Sequence, residues 1–594
     1  MSAAAKLAAS DTLPVWNLAD LFPGPDSPEL KAALEAAVAD AQAFEKKYAG
    51  KLDGLSGSEL GAAIQTYEKL DERLSRLSSY SDLTYAGDQS DPAIAKFYQG
   101  IQERVNAAAS HTLFFTLELN RLEESDLAPK LKEPALRHYA PWLSDLRSFR
   151  AHQLGDDMEK LLHEKYVAGK AAWTRLFDET MAGLRFDVDG KSLTSAEALH
   201  LLSDRSGAVR KTAAKAVGKT LGDNARLFAL ITNTLAKDKE IEDRWRRYAA
   251  PISARNLANR VEDEVVDALM TAVQQSYPRL SHRYYALKAK WFGVEQLDYW
   301  DRNAPLPMAD DTNVPWPAAR DTVLEAYGDF STDLAGLGKR FFDNPWIDAG
   351  VRPGKSPGAF AHPTVPSAHP YLLLNYQGKT RDVLTLAHEL GHGVHQLLAA
   401  GQGHLLADTP LTLAETASVF GEMLTFRKML AQASDPQRRK AMLAGKVEDM
   451  LNTVVRQIAF CTFEMRVHAE RRNGELMPER IGEIWLDVQR ESLGPALRLH
   501  DEYRNYWTYI PHFVHTPFYV YAYAFGDCLV NSLYARYRQT PDGFAEKYLA
   551  MLRAGGSKRH KDLLAPFGLD ASDPGFWRQG LGVIEGFIDE LETL

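Results

Sequence analysis

From Ser58 onward, Leu60, Ile64, Tyr67, Leu70, Leu74 and Leu77 recur every three to four residues among Glu, Lys and Arg, the stripe of an amphipathic helix. Similar patterns fill much of 85–180, so a helical N-terminal lobe is predicted. The period then changes. Phe186 and Val188 alternate toward the turn pair Asp189-Gly190, with Leu193 beyond it, which predicts a small hairpin. Thr194-Ser195-Ala196-Glu197 has capping-box spacing and opens another helix, placing a boundary near 180–200. The chain is accordingly divided into an N-terminal helical lobe, 1–190, and a larger domain, 191–594. Two stretches break the helical pattern. Residues 301–320 hold Pro305, Pro307, Pro315 and Pro317, and 345–370 hold six prolines at spacings that helix interiors do not accept, so both are loops. Beyond them Tyr371-Leu372-Leu373-Leu374-Asn375-Tyr376, bounded by Gln377-Gly378, reads as a strand. There is no internal repeat, and the expected class is mainly α with a small β element.

The length of 594 residues allows several domains or one large core with attached lobes. With 69 Lys+Arg against 79 Asp+Glu the net charge is −10, which argues against a nucleic-acid partner, since phosphate binding needs a basic excess. Hydrophobic residues at 45% and charged residues at 25% are globular values and set disorder aside. Two cysteines, Cys461 and Cys528, are too few for a disulfide framework, which favours a reducing compartment. The N-terminus lacks a sustained apolar run before Ser10, Asp11 and Thr12, and no stretch approaches a membrane span. The expectation is a soluble cytoplasmic protein with no membrane partner, a monomer in the simplest case and a homo-oligomer as the alternative.

Three Gly-Lys-Ser/Thr triplets, including Gly354-Lys355-Ser356, lack the glycine five residues earlier that a phosphate-cradling loop requires. Gly354-Lys355-Ser356-Pro357-Gly358 also spells a serine-hydrolase pattern, but it lies in a proline-rich loop rather than between strand and helix. His388-Glu389-Leu390-Gly391-His392 is more informative, because its context is helical: Thr380 or Asp382 offers an N-cap, Val383, Leu384, Ala387, Leu390, Val394 and Leu398 an apolar face, and Gly401 a stop. Four residues advance a helix by about 400°, so His388 and His392 project on one side and can share one ion at about 2.0–2.1 Å. Glu389 lies about 100° round, displaced from the pair and able to act on a water as general base.

A catalytic zinc normally takes a third protein ligand. Thr409-Pro410 begins a predicted helix carrying Glu415 among apolar and small residues, with Glu422 seven residues on, along the same face. Buried carboxylates need a cation or donors, so Glu415 is assigned as third ligand and Glu422 as an acceptor orienting a ligating imidazole. Gly391 and Gly393 weaken a helix interior by about 0.5–1 kcal/mol each, which implies a close approach to the backbone by a substrate strand or a neighbouring helix, the packed helix being the commoner cause. His395 is expected in the core or behind the ligands rather than as a fourth ligand.

Together these motifs resemble the thimet oligopeptidase clan, and more closely its oligoendopeptidase F branch. The resemblance extends to Ile510-Pro511-His512-Phe513, to Pro517-Phe518-Tyr519-Val520-Tyr521-Ala522-Tyr523-Ala524 and to Trp16-Asn17-Leu18-Ala19-Asp20-Leu21-Phe22. It implies a mainly helical, two-lobed ellipsoid with a deep central channel, one zinc per chain on its floor, and cytoplasmic endopeptidase cleavage of short unstructured peptides. The strand at 371–376 resembles the one that pairs with substrate backbone in that family. The resemblance also implies a His and one or more Tyr as oxyanion donors. His512, in a loop, and Tyr519, in the first turn of a helix begun by Thr516-Pro517, match best, with Tyr521 and Tyr523 as competitors. A peptide-binding scaffold without turnover and a carboxypeptidase using the same site are the alternatives.

Overall fold

Residues 13–306 and 313–594 are described in a computed structural model. The expectations for Ser10, Asp11, Thr12 and Pro307 fall outside them. The elements used below are, in chain order, helix α1 (Gly57–Gly87), strands β1 (Phe186–Val188), β2 (Lys191–Leu193), β3 (Ile347–Gly350), β4 (Phe360–His362) and β5 (Tyr371–Tyr376), and helices α2 (Thr380–Ala399), α3 (Leu411–Ala414), α4 (Thr416–Gln432), α5 (Val455–Arg471), α6 (His512–His515) and α7 (Tyr521–Gln539). The rest is largely helical, so the class is mainly α, as expected. Among the described residues no helix is long and apolar enough to cross a membrane.

The chain folds into two compact units. One gathers 1–150, 311–432 and 536–569, the other 151–310, 433–535 and 570–594. These discontinuous units differ from a single cut between 190 and 191, because helices distant in sequence pack together.

In the first unit, α1 forms where its apolar stripe predicts. Leu60, Ile64, Leu70, Leu74 and Leu77 are buried, and Tyr67 stacks on Phe115 at 5.1 Å between ring centres. Its start is closed by a capping box: Ser56 Oγ accepts from the Glu59 N–H at 3.2 Å, and the Glu59 carboxylate accepts from the Ser56 N–H at 2.9 Å. The sheet of this unit has the order β3-β5-β4, with β3 parallel and β4 antiparallel to β5. The strand expected at 371–376 is therefore real but central. Its backbone is paired on both sides, so it offers no open edge to a peptide, and the likeness to a substrate-pairing strand does not hold for it. Trp16-Asn17 ties onto this sheet: the Tyr371 hydroxyl donates to the Asn17 carbonyl at 2.8 Å, and Trp16 meets Tyr371 edge to face.

Lys355, from the rejected phosphate-loop triplet, is a buried strap. Its ammonium donates to Asp348 Oδ1 at 2.7 Å, to the Gly350 carbonyl at 2.8 Å and to the Leu374 carbonyl at 2.5 Å, joining β3 to β5. Asp348 is fully buried and also receives Arg352 at 2.7 Å.

The second unit contains the predicted hairpin. Phe186 pairs with Leu193 and Val188 with Lys191, while Asp189 and Gly190 take φ of 51° and 75°, the left-handed pair that a two-residue turn requires. Thr194 caps the next helix together with Glu197, as its spacing predicts. Cys461 and Cys528 are free and buried in this unit.

Removing one partner of a buried ion pair leaves the other charge uncompensated. Lys355→Met is expected to destabilise the protein by about 3 kcal/mol, with Arg352 limiting the loss, and denaturant unfolding measures it.

Candidate metal centre and its surroundings

Helix α2 starts after Lys379, not with Thr380 or Asp382 as its cap. Asp382 instead reaches back one turn and accepts from the Lys379 and Gln377 N–H groups at 3.0 and 2.8 Å. At its far end a 3₁₀ turn, Ala400–Gln402, continues past Gly401, and Gly403 takes the positive φ of 84° that redirects the chain. The helix expected from Thr409-Pro410 through Glu422 is broken. Pro410 is the N-cap of the short α3, Glu415 closes it with ψ of −1°, and α4 begins at Thr416. Glu415 thus sits at a joint, held there by the Tyr548 hydroxyl, which donates to the Thr416 carbonyl at 2.7 Å.

This joint brings the carboxylate to the histidines. His388 Nε2 and His392 Nε2 lie 3.3 and 3.4 Å from one oxygen, Glu415 Oε2, which also accepts from Ser418 Oγ at 2.7 Å. One ligand atom from each of the three residues lies within 4.8 Å of the others. The edge of a tetrahedron with 2.0–2.1 Å arms is about 3.4 Å, so the separations suit a single ion of zinc size. Behind it, Glu422 Oε2 is 3.2 Å from His388 Nδ1, placed to accept that N–H and leave Nε2 facing Glu415.

Electrostatics follow from burial and proximity. Burial works against the charge of Glu415, but the hydrogen bond and charge of His392, with His388 and Ser418, outweigh it and hold the carboxyl down at about 2. Burial likewise opposes charge on His388, yet Glu422 and Glu415 raise its pKa on balance. Glu389 is buried, which raises its pKa, and the Ala361 N–H on edge strand β4 donates to its carboxylate. His395 is buried and pushed down to about 4 by desolvation and then by His392, so it is a neutral core side chain. A cavity of about 270 Å³ opens beside His392, lined also by His395, His404, Pro366 and Ala414.

Both glycines answer to packing. A Cβ on Gly391 would stand 2.5 Å from the Ala417 carbonyl oxygen and 2.7 Å from Ser418 Cα, so α2 and α4 touch backbone to backbone beside the ligands. A Cβ on Gly393 would meet the Phe341 ring at 2.6 Å.

The second unit assembles His512, Tyr519 and Tyr523. The structure corrects their local setting: His512 opens the short helix α6 rather than lying in a loop, and no helix starts at Pro517. Phe518 takes φ of 61°, which no helix tolerates, and α7 begins only at Tyr521. His512 Nε2 is 3.4 Å from the Tyr523 hydroxyl, and the Tyr519 ring lies 5.3 Å from that of Tyr523 and 6.1 Å from that of His512. Tyr521 leaves the competition, because it is fully buried and its hydroxyl accepts from Asn259 at 2.9 Å.

Glu464, which sequence reasoning missed, anchors the turn. Its carboxyl accepts the Phe518 N–H at 2.8 Å, holding a non-glycine residue in the left-handed region, while the Arg255 guanidinium lies 5.8 Å over the Tyr519 ring. Burial pushes the Glu464 pKa up to about 8. Its position in α5 carries no local sign of this role, since the partner is 54 residues away.

Comparison with known proteins agrees with this chemistry. The Oligopeptidase F profile matches residues 118–186 and the peptidase family M3 profile residues 333–583. These matches support a metallopeptidase that hydrolyses oligopeptides. The chain is similar to Oligopeptidase PepF of Bacillus subtilis, 28% identical over 99% of this chain and 87% of that protein. In fold it matches a solved chain from Chlamydophila abortus (TM-score 0.87, 24% identity, 98% of each chain) and the oligoendopeptidase-F structure from Enterococcus faecium (TM-score 0.70, 22% identity, 96% and 99%).

Gly391→Ala should force α2 and α4 apart and weaken metal retention by about tenfold while the helical signal persists; metal titration followed by circular dichroism tests it. Glu464 has a folded pKa above its ordinary 4.5, so its contribution to stability is complete below about pH 4.5 and is lost as pH rises through about 8. Melting temperatures of wild type and Glu464→Gln should therefore diverge from pH 5 to 8, the wild type losing more; parallel curves would remove this role.

Proposed function

We propose that this chain is a zinc-dependent endopeptidase that cuts internal bonds of short, unstructured peptides, with His388, His392 and Glu415 holding one zinc. The observation that carries this reading is the pair of 3.3 and 3.4 Å separations from two imidazoles to one carboxylate oxygen, with Glu389 on the next position of the same helix. Bound zinc would supply Lewis acidity, lowering the pKa of water and polarising a peptide carbonyl.

The chain's own groups do the rest. Glu422 holds the His388 Nδ1 proton, which fixes the ring and its tautomer. Glu389 takes a proton from the attacking water and returns it to the leaving amine, and its burial raises its pKa toward the range in which a carboxylate is an effective base. The resemblance assigns donors for the developing oxyanion to His512 and Tyr519, and the contact of Tyr523 with His512 adds a third candidate. Burial and then the charge of Arg456 lower the His512 pKa, so its ring is neutral near pH 7. The same resemblance supports confinement of the reaction to a narrow channel that excludes folded proteins. The free, buried thiols suit a reducing cytoplasm.

Glu389→Gln should bind zinc with wild-type stoichiometry and lose at least about 10³-fold in kcat, as read with a quenched-fluorescent peptide. With wild type, mass spectrometry of a peptide blocked at both ends should show cuts at internal bonds; an amidated peptide left intact while its free acid loses C-terminal residues would mark a carboxypeptidase instead.

A further inference from the structure

The second unit holds a cavity that the reading above leaves unused. About 150 Å³ in volume, it is lined by Arg302, Arg456, Tyr509, Tyr506, Tyr299 and Trp300, among others. Its walls are aromatic, yet it contains two guanidinium groups. Neither Arg302 nor Arg456 has an ion-pair partner among the described residues, whereas the nearby Lys288 is satisfied by Glu448 at 2.6 Å. Among the described residues Arg456 Nε is buried and makes no hydrogen bond, and the head group makes one long bond, 3.4 Å, to the Tyr509 hydroxyl. Among the described residues the Arg302 side chain bonds its neighbour Asn303, at 3.4 Å, and otherwise sits among the phenols of Tyr503, Tyr285, Tyr509 and Tyr506.

Other phenols of the wall are committed. Tyr506 donates to the Ala214 carbonyl at 2.9 Å and Tyr503 to Gln489 at 3.2 Å. Tyr509 receives Arg456 and keeps its own proton to give. Two cations without a carboxylate partner among the described residues and one phenol, held against aromatic faces, form a donor set answered only by long contacts to Asn303 and Tyr509, at 3.4 Å each. The buried Arg456 Nε is an unfavourable unpaired donor, and a planar anion that accepts from both half-buried guanidiniums satisfies it. The cavity adjoins the His512 cluster through the chain itself, because Tyr509 stands three residues before His512, and Arg456 is close enough for its charge to depress the imidazole.

We infer that this cavity binds a carboxylate of the peptide substrate, with Arg456 and Arg302 as paired cationic anchors and Tyr509 as a third donor. The inference rests on the peptidase reading and makes these residues determinants of specificity. A peptide carries such a group at its C-terminus or on an Asp or Glu side chain, and both present the same acceptor. A folded protein's surface carboxylates could not reach a cavity of this size, whereas the flexible end of a short peptide can.

The test uses zinc-loaded, full-length Glu389→Gln as a non-cleaving trap and one fluorescent peptide in three forms: free acid with an internal Glu, its C-terminal amide, and its internal Glu→Gln version. Binding is followed by anisotropy. The expected result is that one neutralised form binds about tenfold more weakly than the parent, and which one identifies the carboxylate. Adding Arg456→Met to the trap should bring the ratio close to one, with Arg456→Lys intermediate. Equal binding of all three forms overturns the inference, as does an unchanged ratio in folded Arg456→Met and Arg302→Met. Should Arg456→Met fail to fold, Tyr509→Phe replaces it: a reduced ratio supports the site and an unchanged one overturns it. Wild type that cleaves none of these peptides would sink the peptidase reading separately, since the anisotropy ratios do not depend on turnover.

Discussion

Everything at the metal centre depends on one bare contact, the backbone of α2 at Gly391 against the Ala417 carbonyl and Ser418 on α4. Helices that carry side chains at their contact lie about 8–10 Å apart, and here even a methyl group would collide. That approach lets a carboxylate from the start of α4 meet imidazoles that point off α2. Ser418, at the contact, both packs under Gly391 and donates to Glu415, so the residue that permits the approach also orients the ligand. The cost of two glycines inside a helix is offset by the packing they allow, and Tyr327 secures the same helix by donating to the Ala387 carbonyl at 2.7 Å.

Near this contact a buried charge is answered by partners of opposite sign. Asp348 is wholly buried but takes Lys355 and Arg352, so it serves as a strap for the sheet that carries the Ala361 N–H to Glu389. Glu464 has no such ion pair among the described residues. It is kept near neutrality instead, and as an acid or a carboxylate it still accepts the Phe518 N–H that fixes the turn before α7. Arg302 and Arg456, by contrast, have no carboxylate partner among the described residues, so their cavity differs from these ion pairs.

Local signals were legible where neighbours in sequence are neighbours in space. The stripe of α1, its capping box, the Asp189-Gly190 turn and the strand at 371–376 all follow from interactions within a few residues. The same holds for His388 and His392, since a helix fixes what lies four positions apart. Failures occur where distant groups intervene. The break at Glu415 is held by Tyr548, and the turn at Phe518 by Glu464, partners 132 and 54 residues away from the backbone atoms they bind. A strand's position in its sheet is equally unreadable, because the apolar run of β5 is the same whether one or both edges are paired.

By itself, then, the sequence determined the helical class, the Thr194 cap, the Asp189-Gly190 turn, the pair of imidazoles and the base beside them, because periodicity and short-range hydrogen bonds settle these. Only the tertiary structure decided that one oxygen of Glu415 stands between both imidazoles, that Tyr521 is core while Tyr519 and Tyr523 flank His512, and that two arginines share a cavity without a carboxylate. Those outcomes depend on which elements pack and how closely, and packing is set by residues far apart along the chain, whose meeting no local pattern records.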